Sequence, residues 1–239
     1  FLPIVVFIRL ISPLIYIRIT PLKVARIGHL IGEVEIYLCN KKKDKKSFFT
    51  IDLFYIRKNE KICNIFLFNI IKKKIIIIPA LIGKKIYQIN LKLNRILNSK
   101  KSYFYELNFN SSPEYLKINN QQIKMSDNDI EIGRKMAEKI NLFSHDKFVC
   151  VVCRDSSYLK KNSNGKDFDY LSFRNADIDT FIPASNYITD KGYKVVRIGN
   201  VVEKKFEFGN PMVIDYSNTQ HVNDLLDIYL ISKCEFLIT

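Results

Sequence analysis

The chain has 239 residues, with 47% hydrophobic, 26% charged and 13% aromatic positions, which excludes global disorder and leaves room for one large domain or two small ones. Lys and Arg total 38 against 24 acids, a formal net charge of +14, so an anionic partner is expected; the richness in Ile, Lys and Asn is also a compositional habit that inflates lysine. The five cysteines (Cys39, Cys63, Cys150, Cys153, Cys234) are odd in number and scattered, which argues against a disulfide framework and for a reducing, cytoplasmic compartment.

The opening "FLPIVVFIRLISPLIYIRI" is long and apolar, but Arg9 sits inside it and Pro3 and Pro13 interrupt it. A membrane span does not favour that, and an interfacial or core helix is predicted. Residues 23–27 read as a short strand that turns at Gly28 and His29. Leu30, Ile31, Val34, Tyr37 and Leu38 then recur at helical spacing. Residues 47–56 read as a strand, "KICNIFLFNIIKKK" as a helix by its length, and "IIIIPA" (75–80) as a buried strand ended by Pro79. From 83 to 125, Asn, Lys, Ser and Tyr dominate, and loops, short helices and an interdomain connection are expected.

The second half alternates more clearly. "SDNDIEIGRKMAEKINL" (126–142) is a polar-capped helix, and "DKFVCVVCRD" is a strand. A helix follows, with Thr180 as its cap, Pro183 in its first turn and Gly192 as its stop. Strands "YKVVRIG" and "PMVIDY", helix "VNDLLDIYLISK" and strand "CEFLI" complete a β-α-β-β-α-β run, mostly parallel by crossover logic. The expected fold class is therefore α/β, with domains at 1–125 and 126–239.

Ligands of open α/β sheets bind at the carboxyl ends of strands. Those ends read Gly28-His29, Arg154-Asp155, Arg197-Ile198-Gly199 and Asp215-Tyr216. Arginine suits phosphate, and Gly28 and Gly32 flank His29 at a strand-to-helix turn, where backbone approaches a ligand and a histidine can serve as general base. Arg174 and Asn175 precede the Thr180 helix. The triplets "DND" (127–129) and "DID" (177–179) fit a metal-binding spacing, but both also sit where acids favour a helix start, and no metal site is assigned. "CVVC" has redox spacing, yet in a strand its two sulfurs point to opposite faces, so buried thiols are expected.

The segments "RIGHL" with "YLC" near the start, and "CRDSSYL", "FRNADIDTFIPASNYITDKGYKVVRIGN", "VIDYSNT" and "DLLDIYLISKCEFLIT" later, resemble a family of bacterial glycosyltransferases of surface-polysaccharide gene clusters. The resemblance is strong over 148–239, recognisable over 23–40 and faint between. It implies a GT-B-like fold of two Rossmann-like domains facing a cleft, the N-terminal one taking a glycan or lipid-linked acceptor and the C-terminal one a nucleotide-sugar donor, with no cofactor. It implies that Arg154 faces the donor diphosphate, with Asp155, Ser156 and Tyr158 positioning it or the sugar, while His29 is the candidate base. Peripheral contact with an anionic membrane surface fits the same reading. Because "CEFLIT" reads as a strand without its following helix, the second domain is expected to be incomplete and the chain catalytically deficient. Two other readings stand beside this one: a relative that binds nucleotide or a partner without turnover, and a basic nucleic-acid-binding protein. The last predicts a basic face interleaved with aromatics, whereas these lysines cluster in turns such as 41–46 and 72–74, so no nucleic acid is expected as a partner.

Overall fold

A computed structural model describes residues 1–43, 49–99, 101–107, 121–157, 161, 169–206 and 209–239. The chain divides into two compact units, Phe1–Lys124 and Met125–Thr239. Each is a parallel sheet with helices on its faces, so the α/β class holds in both.

Unit 1 contains helix α1 (Leu2–Leu10), strand β1 (Tyr16–Leu22), a π turn (His29–Glu33) running into α2 (Val34–Lys43), β2 (Thr50–Ile56), α3 (Ile65–Ile71), β3 (Ile76–Ile77) and α4 (Ala80–Ile96). The described strands pair in the order β1-β2-β3, all parallel. Several expectations are corrected here. The apolar opening is not one helix: it breaks after Leu10, and its second half is β1, because Ser12 and Pro13 end the helical period and Tyr16–Leu22 takes up the two-residue period of a strand. Residues 23–26 are consequently a loop, and Ile27 is already helical. The "IIIIPA" strand is a two-residue edge, and Ile76 is exposed. The first part of the expected loop region, residues 83–96, belongs instead to α4, which packs on α1, β1 and β2; residues 97–99, 101–107 and 121–125 are irregular as expected, and residues 100 and 108–120 lie outside the described residues. The buried α4 stripe of Gly83, Ile86 and Asn90 has a helical period that the surrounding lysines and asparagines obscure.

The strands' alternation divides unit 1 into two faces. Ile19 and Tyr55 join Val5, Ile8, Ile86 and Tyr103 in one core beneath α1 and α4. On the other face, Arg18 and Asp52 are register partners and form a bidentate pair (2.6 and 2.9 Å), which Tyr37 of α2 completes by donating to Asp52 at 3.0 Å. Arg9 does not disturb α1. Its guanidinium donates to the Asn90 side chain and carbonyl (both 3.0 Å) and to Asn94 (2.5 Å), and lies over the Tyr103 ring.

Unit 2 runs α5 (Asp127–Glu138), β4 (Phe148–Val151), two 3-10 turns (Asp169–Arg174 and Ile178–Phe181), α6 (Ile182–Asp190), β5 (Lys194–Arg197), β6 (Val213–Ile214), a 3-10 turn (Tyr216–Asn218), α7 (Asp224–Lys233) and β7 (Leu237–Ile238). The strand order is β6-β5-β4-β7, parallel throughout. β4 is buried at every position, with Phe148 and Cys150 in a core under α5 and α7 and Val149 and Val151 in a core beside α6. Because β5 and β6 extend the sheet on one side of β4 and β7 on the other, the winding reverses between β4 and β7. That is the place where doubly wound sheets open a crevice at their carboxyl edge. α5 is closed by a full capping box between Ser126 and Asp129. The cap after β4 is Asp177 rather than Thr180, because a 3-10 turn precedes α6 and the Thr180 hydroxyl instead donates to the Asp177 carbonyl; Pro183 lies in the first turn of α6, and Gly192 takes a positive φ of 82°.

Candidate functional site

The residues singled out by the sequence fall into two groups, one at the carboxyl edge of each sheet. In unit 2, β4 delivers Arg154, Asp155 and Ser156 just past its end, all half-buried; Tyr158 lies outside the described residues. The Arg154 carbonyl accepts from Ala176 N (2.9 Å), and Cys153 Sγ contacts the Ala176 carbonyl (3.1 Å). The chain is thereby folded back so that the 172–177 segment, with Arg174 and Asn175 exposed on it, lies against the end of β4.

Most of the remaining strand-end charge secures one loop, residues 199–206. Asp155 accepts from Ser157 N (2.9 Å) and from Glu203 N (2.8 Å). Arg197, at the end of β5, is only 1% exposed; it donates to the Lys204 carbonyl (2.6 Å) and pairs with Asp215 (3.6 Å). Asp215 accepts from Phe206 N (2.8 Å) and from the Asn218 side chain. Lys204 bridges Asp177 (2.7 Å) and Asp179 (2.6 Å), which lowers the Asp177 pKa chiefly through that hydrogen bond. Gly199 permits the close return of this loop, since a Cβ there would stand 2.8 Å from Val202 and 3.2 Å from the Ser217 hydroxyl. Arg197 and Asp215 were expected to meet a ligand. Their charged heads instead brace the loop that rims the switch point, while Arg174 is exposed at that edge and Arg154 lies half-buried just past the end of β4.

The acidic triplets are engaged as helix starts. Asp129 closes the α5 capping box, Asp177 caps a 3-10 turn, and Asp177 and Asp179 hold an ammonium. Among the described residues no group of three or more His, Cys, Asp or Glu side chains is placed to hold a metal ion. Burial pushes the thiols of Cys150 and Cys153 up, and both cysteines of the "CVVC" stretch are enclosed in the sheet layers.

In unit 1, His29 stands not at a strand end but at the head of the π turn that follows the loop after β1. Gly28 is already helical (φ −60°, ψ −40°) and a Cβ there would meet nothing, so no backbone demand for glycine exists at that position; Gly32 lies within the π turn. The informative partner is one the sequence reading passed over. Glu33, 2% exposed, accepts from His29 Nδ1 at 2.7 Å and from Lys23 Nζ at 2.7 Å, both on Oε1, while its Oε2 is buried without a partner. The His29 side chain is 41% exposed. A carboxylate that accepts a hydrogen bond from Nδ1–H favours the neutral tautomer in which Nε2 is the acceptor, the arrangement a base requires. The signal was present in "HLIGE": a histidine and a glutamate four residues apart share one helical face. π turns inside α-helices are frequent at functional sites.

None of the described helices is long and apolar enough to cross a membrane. The chain matches no protein-family model and no curated protein sequence. Among solved structures it is similar to that of E. coli ADP-heptose lps heptosyltransferase II, over 92% of this chain and 78% of that one, at 11% identity and a TM-score of 0.48.

Proposed function

We propose that the chain belongs to a glycosyltransferase that moves a sugar from a nucleotide-sugar donor to a hydroxyl of a glycan or lipid-linked acceptor. The reading rests chiefly on the His29–Glu33 pair, an exposed imidazole whose Nδ1 is held by a buried carboxylate. The doubly wound order of unit 2 with Arg154 beside its switch point supports it, as do the motifs "CRDSSY" and "FRNADID". In this reading His29 Nε2 takes the acceptor O–H proton while the acceptor oxygen bonds to the anomeric carbon. The bond from that carbon to the diphosphate oxygen breaks, and its electron pair leaves on the diphosphate. Arg154 and the exposed Arg174 neutralise that charge, with Asp155, Ser156, Tyr158 and Asn175 positioning them or the sugar. Arg197, Gly199 and Asp215 serve the donor side through the loop they hold. Gly28 and Gly32 belong to the acceptor side.

The test is release of nucleoside diphosphate from a panel of nucleotide sugars, with and without glycan acceptors, monitored chromatographically. Transfer that is lost in His29→Ala with donor binding retained, and donor binding that weakens in Arg154→Ala by about 1.5–3 kcal/mol, the range of a charged hydrogen bond, is the expected pattern. Binding of nucleoside diphosphate with equal affinity in wild type and Arg154→Ala refutes the donor assignment. A donor affinity that collapses in His29→Ala makes that residue a binding group rather than the base.

A further inference from the structure

The carboxyl edge of unit 1 carries a charge arrangement that the proton transfer at His29 does not use. The last register pair of β1 and β2 is Leu22 with Ile56, so the next residues, Lys23 and Arg57, leave the sheet on neighbouring strands, about 5 Å apart along the hydrogen-bonding direction. The two loops that follow are laced together: Cys63 N donates to the Val24 carbonyl at 2.9 Å, and Val24 N donates to Glu60 Oε1 at 3.3 Å. This lacing brings Arg26, Arg57, Lys58 and Lys61 to one rim, next to the loop that leads into His29, with the Lys23 ammonium held on Glu33 beside them. The acids of the same rim turn inward. Glu33 is enclosed, and Glu60 spends Oε1 on a backbone amide while its Oε2 is buried. Arg26, Arg57, Lys58 and Lys61 are exposed. Cations outward and carboxylates inward make a surface that prefers an oxyanion, and the mixture of guanidinium and ammonium groups on two adjoining loops suits the several oxygens of a phosphate better than a single carboxylate.

We propose that this rim binds a phosphate group carried by the acceptor, seating the acceptor so that its reacting hydroxyl falls beside His29; the acceptor's role rests on the function proposed above, whereas the phosphate site itself does not. The acceptor class is then a phosphorylated sugar or a polyprenyl-type or glycan phosphate, not a neutral saccharide.

The experiment reads the His29 ring resonances of the full chain by NMR while inorganic phosphate, and separately inorganic pyrophosphate, is added at constant ionic strength and pH. A saturable shift is expected. It is expected to need about tenfold more phosphate or worse in the double variant Arg57→Ala/Lys58→Ala, the loss of at least one charged hydrogen bond. It is expected to be unchanged in Lys72→Ala/Lys73→Ala, two exposed lysines that precede β3 and so lie toward the opposite edge of the same parallel sheet. An unsaturable drift, or equal weakening in both double variants, overturns the site in favour of a diffuse positive field. Response only to phosphatidylglycerol vesicles, with none to free phosphate, overturns it in favour of a lipid surface. The two readings fail separately. A phosphate response together with nucleoside-diphosphate affinity that is equal in wild type and Arg154→Ala upholds this site and removes the donor assignment on which the transferase reading depends, while transfer to neutral acceptors without a phosphate response does the reverse.

Discussion

Asp227 offers the sharpest energetic test of unit 2. It sits in the first turn of α7, 8% exposed, with Oδ1 enclosed and unpartnered. Burial raises its pKa to about 6 from 3.8, the Tyr216 hydroxyl working against the rise and Asp224 adding to it. The folded form therefore binds a proton more readily than the unfolded chain across the window from about pH 4 to about pH 6, and stability falls as pH rises through that window. A difference of roughly 2 pK units corresponds to about 3 kcal/mol of penalty for the charged form above pH 6. Asp227→Asn keeps the shape and removes the charge, but its amide still lacks one partner, at a cost of about 1 kcal/mol. The net expectation is a variant more stable than wild type by about 1–2 kcal/mol at pH 8, with the advantage gone near pH 4, where the wild-type carboxyl is protonated in the folded state. Urea unfolding at the two pH values measures it; with no Trp and 13 Tyr in the chain, far-UV circular dichroism and tyrosine emission are the appropriate probes. A variant no more stable at pH 8, or one whose gain is the same at both pH values, refutes desolvation as the cause.

Glu33→Ala is expected to slow transfer by about 10–100-fold while leaving nucleoside-diphosphate affinity in place, the usual cost of removing the group that orients a working histidine, and Glu33→Gln should recover part of the loss because an amide oxygen still accepts from Nδ1. Gly133→Ala should destabilise unit 2 by about 1–3 kcal/mol, since a Cβ there falls 2.5 Å from the Tyr229 ring where α5 meets α7; Gly83→Ala should do the same to unit 1 against Tyr55 at 2.6 Å. Thermal unfolding of each variant measures these effects, and a melting point equal to wild type would mean that the rings move aside freely. Sugar transfer should survive EDTA, because Asp177 and Asp179 are held by Lys204; activity restored only by a divalent cation would reassign that triplet.

Unit 2 was legible because its signals are local and short in range. Ser126 and Asp129 sit three residues apart and build their own cap, Gly192 marks a left-handed residue, and β4 is a continuous apolar run. Unit 1 hid its first strand inside an apolar stretch, where the change from a helical to an alternating period is masked because nearly every residue is hydrophobic. α4 was hidden in the opposite way, by lysines and asparagines around a narrow apolar stripe, two of those asparagines being committed to Arg9. In unit 2 the sequence located the ends of β4, β5 and β6 but not the depth of their side chains, whereas in unit 1 it placed a strand end at Gly28-His29 that lies six residues past the end of β1. Arg154 and Arg197 look alike as residues that close a strand, and only the packing of Lys204 and Asp215 around Arg197 turns one of them into a brace.

The π turn at His29–Glu33 makes chain length itself a determinant of chemistry. Such a turn is an α-helix with one residue too many, and it stays wide because neighbouring contacts tolerate the extra residue. Deleting Ile31 would let the segment relax to an ordinary helix without removing any polar group. The interval between the imidazole and Glu33 would then shrink from four residues to three, which changes both the rise and the angle between the two side chains. A family of chains could thus gain or lose a base here by insertion or deletion of a single aliphatic residue, an event that a scan for changed histidines, glutamates or arginines would pass over entirely.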